Sequence, residues 1–262
     1  NNKDRAPMIY VGGNDGMLHG FSAENGEEKI AYVPKGVIPK LRYLTSPDFN
    51  TYHKYFVDGS AMTGDVDLTF SQADPEDLDS HTPDWRTLLV GTLGLGGKGY
   101  YVLDVTHPGK KEDVASSAFI ASNAGQLAVL DRTRSELEGE RDCSALTGSA
   151  EWACEKDRTE EADIGHITME PVVDDVDPMR STQITLMNNN RWAVIMGNGY
   201  NSLNQRPVLL VQYLDGEREL VRIQATTDEK GTGNAADNGL AAPRVVDLNG
   251  DGRVDVVYSG DN

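Results

Sequence analysis

The sequence predicts an all-β fold, a modified β-propeller with long loop insertions, and three observations support this class. Short apolar runs of strand length alternate with glycine-rich turns along the 262 residues, of which 27 are glycine. A unit of apolar strand, glycine turn and second strand returns at Gly12, Gly91, Gly197 and Gly260. No long segment carries the sustained 3.6-residue apolar period of a helix. Irregularly spaced repeats with insertions between them favour a radial array of blades over a sandwich.

The first unit is the most complete of the four. Residues 8–21 are predicted to form two strands around the turn Asn14-Asp15-Gly16, because glycine and asparagine tolerate positive φ. A turn at 24–26 then leads to a third strand. The later units place strands at 88–91, 100–104, 192–197, 208–213, 219–223 and 256–258. The glycine-rich segment 91–99 joins strand to strand and lacks the helix N-terminus of a phosphate-binding loop, so we interpret it as a structural hairpin.

The chain is predicted to be one domain, residues 1–262, from the C-terminal part of a larger exported protein. It lacks an initiator Met and stops within a predicted hairpin, so we expect a propeller that is partial or truncated at its C-terminus. Polar insertions are expected at about residues 65–85, 132–163 and 226–238, the second with a short helix at 134–140. Cys143 and Cys154 lie in this second insertion. A disulfide between them is favoured over two free thiols or half of a metal site.

Composition argues against several classes of function. Lys and Arg number 24 against 42 Asp and Glu, and the net charge of −18 makes nucleic acid and anionic membrane surfaces poor partners. No apolar stretch approaches the roughly 18 residues of a membrane span, so no membrane insertion is expected. The histidines show no metal-ligand spacing, and neither a Ser-His-Asp set nor paired carboxylates stand out. We therefore do not expect an enzyme.

The strongest chemical signal is an Asp/Asn/Gly loop at residues 247–255. Five residues offer oxygen ligands for a metal at alternate positions of this loop: the side chains of Asp247, Asn249, Asp251 and Asp255, and the backbone carbonyl of Arg253. Ca²⁺ takes about 6–8 oxygen ligands, and Gly252 allows the sharp turn around it. We expect the side chain of Arg253 to point away from the ion. The twelfth position is Tyr258 instead of Glu, and a strand at 254–258 follows, so the predicted calcium loop lies between strands and is not an EF-hand. A turn of the same composition without metal is the alternative.

Six segments in order carry a resemblance to a known family: residues 9–21, 31–34, 53–59, 88–105, 191–202 and 247–255. Together they resemble the C-terminal domains of the PilY1 and PilC family of type IV pilus biogenesis factors, although each alone is a weak signal. The resemblance implies a modified β-propeller at the end of a large exported protein, with the family's calcium loop at the five residues named above. Asn249 removes one negative charge from that loop, which is expected to weaken its affinity. The chain contains no Arg-Gly-Asp triplet, so integrin binding through that motif has no support here.

The resemblance also implies a function. Family members act as calcium-binding pilus assembly factors and tip-associated adhesins that promote pilus extension by opposing retraction, and so support twitching motility, virulence and host-cell attachment. The implied partners are minor pilins, other pilus tip proteins and a host-cell surface receptor. The implied location is the pilus tip (the fimbrium) and the outer membrane or cell surface, reached through the periplasm.

Two alternative classes remain open at this stage. Residues 12–26 also resemble a blade of a quinoprotein dehydrogenase that uses pyrroloquinoline quinone (PQQ), and residues 247–260 resemble the repeat of an integrin-α-like calcium propeller. Only one copy of each repeat fits well, and the chain has no adjacent cysteine pair to contact a quinone. Both alternatives are therefore disfavoured.

Overall fold

A computed structural model describes residues 5–74, 76–108, 119, 121–225 and 238–261. Within them lie the strands β1 (Met8–Gly12), β2 (Leu18–Ser22), β3 (Glu28–Tyr32), β4 (Met62–Asp67), β5 (Trp85–Thr92), β6 (Tyr100–Asp104), β7 (Ala128–Asp131), β8 (Ile184–Met187), β9 (Trp192–Gly197), β10 (Val208–Tyr213), β11 (Leu220–Gln224), β12 (Arg244–Val246), β13 (Arg253–Val254) and β14 (Val256–Tyr258). The α-helices are α1 (Ala124–Leu127) and α2 (Ser149–Ala162), and 3-10 helices span Lys35–Thr45, Phe70–Gln72, Leu78–Ser80, Gly94–Gly96 and Ala121–Asn123. None of these helices is long and apolar enough to cross a bilayer. The fold is predominantly β, as predicted.

The described strands form four sheets in chain order. Sheet 1 has the order β1-β2-β3, and sheet 2 has the order β4-β5-β6-β7. Sheet 3 has the order β11-β10-β9-β8-β13, and sheet 4 consists of β12 and β14. Strand β13 runs parallel to β8, whereas the other neighbouring strands are antiparallel. Sheets 1 and 2, and sheet 3 apart from β13, are thus meanders of consecutive strands, the arrangement of propeller blades.

Sheets 2 and 3 bury both of their faces, because successive residues of a strand point to opposite sides. On β5, Leu88 and Val90 enter the apolar cluster between sheets 2 and 3, whereas Leu89 enters the cluster between sheets 1 and 2. On β9, Val194 joins the cluster shared with sheet 2, and Ile195 joins a third cluster against which sheet 4 packs. Burial on both faces explains why these strands appear in the sequence as continuous apolar runs. The four sheets therefore stack face to face with an apolar core between each successive pair.

The glycine-rich segment 91–99 is the predicted structural hairpin, since β5 and β6 pair across it. Gly99 has a φ of +96°, and a Cβ there would overlap the carbonyl oxygen of Arg132. Gly96 lies directly against the backbone of Phe56. The buried amine of Lys40 closes the same region, donating hydrogen bonds to the carbonyls of Gly96 at 2.6 Å and Tyr55 at 2.8 Å. The glycines permit close packing against the backbone of Phe56 and Arg132, and Lys40 attaches the first 3-10 helix to the same segment.

The insertions differ from the prediction in detail. The connection between β4 and β5 covers residues 68–84, so the expected insertion at 65–85 begins inside β4. In the second insertion the predicted helix at 134–140 is wrong: Arg134 forms a β-bridge with Lys98, the residues after it form turns and bends, and the helix is α2. The expected insertion at 226–238 lies outside the described residues except for Asn238.

Helix α2 is fixed by covalent and ionic contacts instead of an apolar face. The predicted disulfide joins Cys154 of α2 to Cys143, with their Cα atoms 5.8 Å apart. Near the end of the helix, the carboxylate of Glu160 pairs with Arg132, which also donates to Gln212 of sheet 3. These contacts attach the insertion to the body of the domain.

Candidate metal-binding loop

The Asp/Asn/Gly loop connects β12 to β14 of sheet 4, and its second half forms β13 at the edge of sheet 3. The sequence predicted one unbroken strand at 254–258, but the structure divides it into β13 and β14 with Asp255 between them. The break occurs because β13 pairs with β8, whereas the N–H of Asp255 donates to the carbonyl of Val246 on β12 at 3.0 Å. The loop therefore lies where two sheets meet.

The loop is a run of tight turns closed by its own side chains. Asp247 accepts hydrogen bonds from the N–H groups of Gly250 and Gly252, each at 2.7 Å. Asn249 and Asp251 each accept the N–H two residues further along the chain at 2.9 Å. The two glycines have φ values of +78° and +83°, a region that other residues rarely adopt. The sequence folds locally in this way because Asp and Asn side chains stabilise such turns.

The backbone N–H groups of the loop also favour the ionised form of Asp247, the first of the candidate ligands. The hydrogen bond from the N–H of Gly252, together with further N–H groups of the loop, holds the pKa of Asp247 below its usual value. Its carboxyl group is therefore fully ionised at neutral pH and available as an anionic ligand.

Asp255, at the ninth position of the loop, is held both by the backbone of the loop and by a side chain outside it. Asp255 accepts the N–H of Leu248 through Oδ2 at 2.9 Å, and its Oδ1 accepts a hydrogen bond from Nδ2 of Asn188 at 3.2 Å. Asn188 lies in the turn between β8 and β9, in sheet 3. Asn190 of the same turn has a φ of +60° and accepts a hydrogen bond from Nε of Arg253 at 3.0 Å. Sequence reasoning missed both asparagines: three consecutive Asn residues between apolar strands indicate a turn but not what it contacts.

The side chain of Arg253 does not point away from the ligands as expected. Its Nη1 lies 3.7 Å from Oδ2 of Asp251, and its guanidinium carbon lies 6.0 Å from the ring centroid of Phe70. Both ionic partners are partly exposed, and the surplus of negative charge on the loop attracts the guanidinium. Phe70 belongs to the connection between β4 and β5, so Arg253 also links the loop to sheet 2.

The donor set fits calcium in its chemistry. Three carboxylates, one amide and one backbone carbonyl are the hard oxygen ligands that this cation takes. Among the described residues, however, no three His, Cys, Asp or Glu side chains lie close enough together to hold a metal ion. The side-chain oxygens accept N–H groups of the loop instead, and binding would require the carboxylates to draw together. Calcium binding at Asp247, Asn249, Asp251, Arg253 and Asp255 stays a prediction.

The fold and this loop define a class of protein: a β-propeller domain with irregular blades and an acidic loop between two of them. The family model for the PilY1 beta-propeller domain matches residues 1–125 and 172–262. The chain belongs to this family. The intervening residues 126–171, which fall outside the match, contain α2 and the disulfide.

Individual relatives agree with the family match. The chain is 32% identical over 258 residues to the type IV pilus biogenesis factor PilY1 of Pseudomonas aeruginosa strain UCBPP-PA14, covering 98% of this chain and 16% of that protein. It is 33% identical over 264 residues to a PilY1 homolog of Xylella fastidiosa strain Temecula1, covering 99% of this chain and 14% of that protein. The crystal structure of the Pseudomonas aeruginosa PilY1 C-terminal domain aligns with a TM-score of 0.59 and 29% identity, over 99% of this chain and 37% of that chain.

These comparisons confirm the propeller class and the pilus family that the sequence suggested. The chain is a PilY1 β-propeller domain, and it spans 14–16% of the length of the relatives described above. Those relatives are named for pilus biogenesis and not for an enzymatic activity. The family match favours the pilus interpretation over the quinoprotein dehydrogenase and integrin-α-like alternatives.

Proposed function

We propose that this domain is a calcium-binding part of a type IV pilus assembly factor and tip-associated adhesin. In this role it promotes pilus extension by opposing retraction, without enzymatic activity, and thereby supports twitching motility, host-cell attachment and virulence. Its partners are minor pilins or other pilus tip proteins and a host-cell surface receptor. It acts at the pilus tip and the outer membrane or cell surface after export through the periplasm. Membership of the PilY1 family supports the pilus role.

The single observation that carries the calcium proposal is the loop at 247–255. Asp247, Asp251 and Asp255 would provide anionic oxygens, Asn249 a neutral oxygen, and Arg253 its backbone carbonyl. A calcium ion would supply two positive charges among three carboxylates that share nine residues of a chain with a net charge of −18. Like charges at short range repel, so drawing these side chains together is unfavourable without a cation.

Calcium would act on assembly through the surface near the loop and not through overall folding. The apolar clusters between sheets 1 and 2 and between sheets 2 and 3 contain no residue of the loop. Loss of the ion should leave these cores intact and change only how the loop and its neighbours are presented. The loop would then work as a switch on contact with a pilus partner.

Calorimetry on the intact protein tests the calcium site. We expect Asp247→Ala to lower the number of bound calcium ions by one. Asp174→Ala is the matched control, because Asp174 is a partly exposed carboxylate that also accepts N–H groups, from Val176 at 2.8 Å and Asp177 at 3.1 Å, in a turn far along the chain from the loop. Undiminished calcium binding by Asp247→Ala would refute the assignment.

A cell-based experiment tests the switch. Cells with Asp251→Ala should make stable protein but display few surface pili, and deleting the retraction motor in that strain should restore the pili. If these cells extend and retract pili normally in calcium-depleted medium, the loop has no regulatory role.

A further inference from the structure

The turn between β8 and β9 and the loop at 247–255 form one continuous joint between sheets 3 and 4. Two side-chain hydrogen bonds cross it, from Asn188 Nδ2 to Asp255 at 3.2 Å and from Arg253 Nε to Asn190 at 3.0 Å. Both pairs join residues more than 60 positions apart in the chain. Each pair includes one residue of the proposed calcium-ligand set.

Backbone pairing strengthens the same joint. Arg253 and Val254 of β13 pair in parallel with Leu186 and Met187 of β8, directly before the turn at 188–190. The side chain of Val254 is 7% exposed and lies in the apolar cluster shared by sheets 3 and 4. One side of the loop is therefore fixed to sheet 3 by backbone, apolar and polar contacts. The other side, from Asp247 to Asp251, makes its hydrogen bonds within the loop.

We propose that Asn188 is a positioning residue for calcium, and that calcium bound in the loop locks sheet 3 to sheet 4 through the turn at 188–190. The inference rests on the proposed function, since it needs calcium at Asp255. Asn188 restrains the carboxylate of Asp255 by binding Oδ1, while the N–H of Leu248 binds Oδ2. A carboxylate held at both oxygens loses less side-chain freedom when it coordinates an ion.

The coupling must act in both directions. If the turn raises calcium affinity by some factor, calcium stabilises the same arrangement of the turn by the same factor. The proposal therefore predicts an effect of calcium in sheet 3, on residues that contribute no ligand. A loop that binds calcium independently of sheet 3 would show protection confined to residues 245–258.

Hydrogen exchange and calorimetry on the intact protein, with calcium chloride as the probe, test both directions. In the wild-type protein we expect calcium to slow amide exchange in residues 245–258 and also in 186–191. Asn188→Ala should weaken calcium binding about 3- to 10-fold, as expected when one solvent-accessible hydrogen bond is lost, and should abolish the protection of 186–191. Asn188→Gln, which keeps an amide donor, should recover much of both effects.

Asn189→Ala is the matched control within the same turn. Among the described residues, the amide of Asn189 donates to the hydroxyl of Tyr213 at 2.9 Å and makes no hydrogen bond to the loop, so this variant should bind calcium as the wild type does. Equal calcium affinity and equal protection in Asn188→Ala and the wild type would overturn the inference. If Asn188→Ala does not fold, wild-type protection confined to 245–258 would overturn it as well. Absence of any calcium effect on 245–258 in the wild type would instead refute the proposed function.

Discussion

Asp163 joins the end of the second insertion to sheet 3, and replacing it with Ala should destabilise the domain substantially. Its side chain is 1% exposed. Its two oxygens accept hydrogen bonds from Nε and Nη2 of Arg206 at 2.8 and 3.0 Å, Nη1 of Arg222 at 2.7 Å and Nδ2 of Asn204 at 2.7 Å. The substitution would remove all four acceptor contacts and leave two guanidinium groups without this partner.

The expected cost follows from these contacts. Breaking a buried ion pair by removing one partner costs about 3–5 kcal/mol. The side chains of Arg206 and Arg222 are 25% and 28% exposed, so water would partly solvate them after the change. We therefore expect a loss at the lower end, about 3 kcal/mol. In a domain of this size that corresponds to a fall in Tm of roughly 6–12 °C.

Thermal and urea unfolding followed by circular dichroism measure this loss. Asp142→Ala is the control, since Asp142 is an exposed carboxylate of the same insertion that accepts an N–H from Ser144 at 2.9 Å. That variant should stay within about 1 kcal/mol of the wild type. A loss below about 1 kcal/mol for Asp163→Ala would show that the four contacts do not hold the insertion to the sheet.

Two further predictions concern acid and redox conditions. Burial raises the pKa of Asp163, but the hydrogen bonds from Arg206 and Asn204 and the charges of Arg206 and Arg222 outweigh it, so the pKa lies below its usual value. The stability that comes from this ionisation is therefore fully present above the unfolded pKa of about 3.9, and it is lost as the pH falls through the folded pKa. The difference in unfolding free energy between the wild type and Asp163→Asn should therefore shrink on acidification below about pH 4. A difference that stays constant with pH would contradict this linkage. Replacing Cys143 and Cys154 with Ser should destabilise the insertion by up to about 3 kcal/mol. Amide hydrogen exchange in residues 141–156 measures this loss. An unchanged exchange rate would show that the ion pairs alone hold α2.

The sequence predicts the strands that are apolar on both faces and also the partly exposed strands β1, β3 and β11, but it misses β4, β7, β8 and β12. Strands β5, β9 and β10 are recognisable because both of their faces enter cores, which gives continuous apolar runs. Strand β4 is not predicted, and its second half falls within the expected insertion at 65–85, because the strand contains Gly64, Asp65 and Asp67. Gly64 is needed where the strand packs closely against Ile184 of sheet 3, a contact that only the folded structure reveals.

The helix and the candidate site show a second limit of sequence reasoning. Helix α2 has no apolar stripe, and its position depends on a disulfide and on ion pairs with distant arginines. In the loop, the spacing of Asp and Asn located the turn and its candidate ligands. The contacts of Asp255 with Asn188 and of Arg253 with Asn190 could not be predicted, because they depend on how two sheets meet.

The two buried faces of sheet 2 also affect how its strands align during folding. In a sheet with one face in water, a slip of one residue exposes a whole set of apolar side chains, so solvent selects the correct alignment. Strand β5 is apolar on both faces at residues 88–90, and the same slip would expose little. A steric clash selects the register of β5 and β6 instead. Gly91 lies opposite Tyr101, and a Cβ at position 91 would overlap the phenol ring. A slip that brings Val90 opposite Tyr101 is rejected by this clash, so correct assembly depends on a residue that buries no side chain of its own.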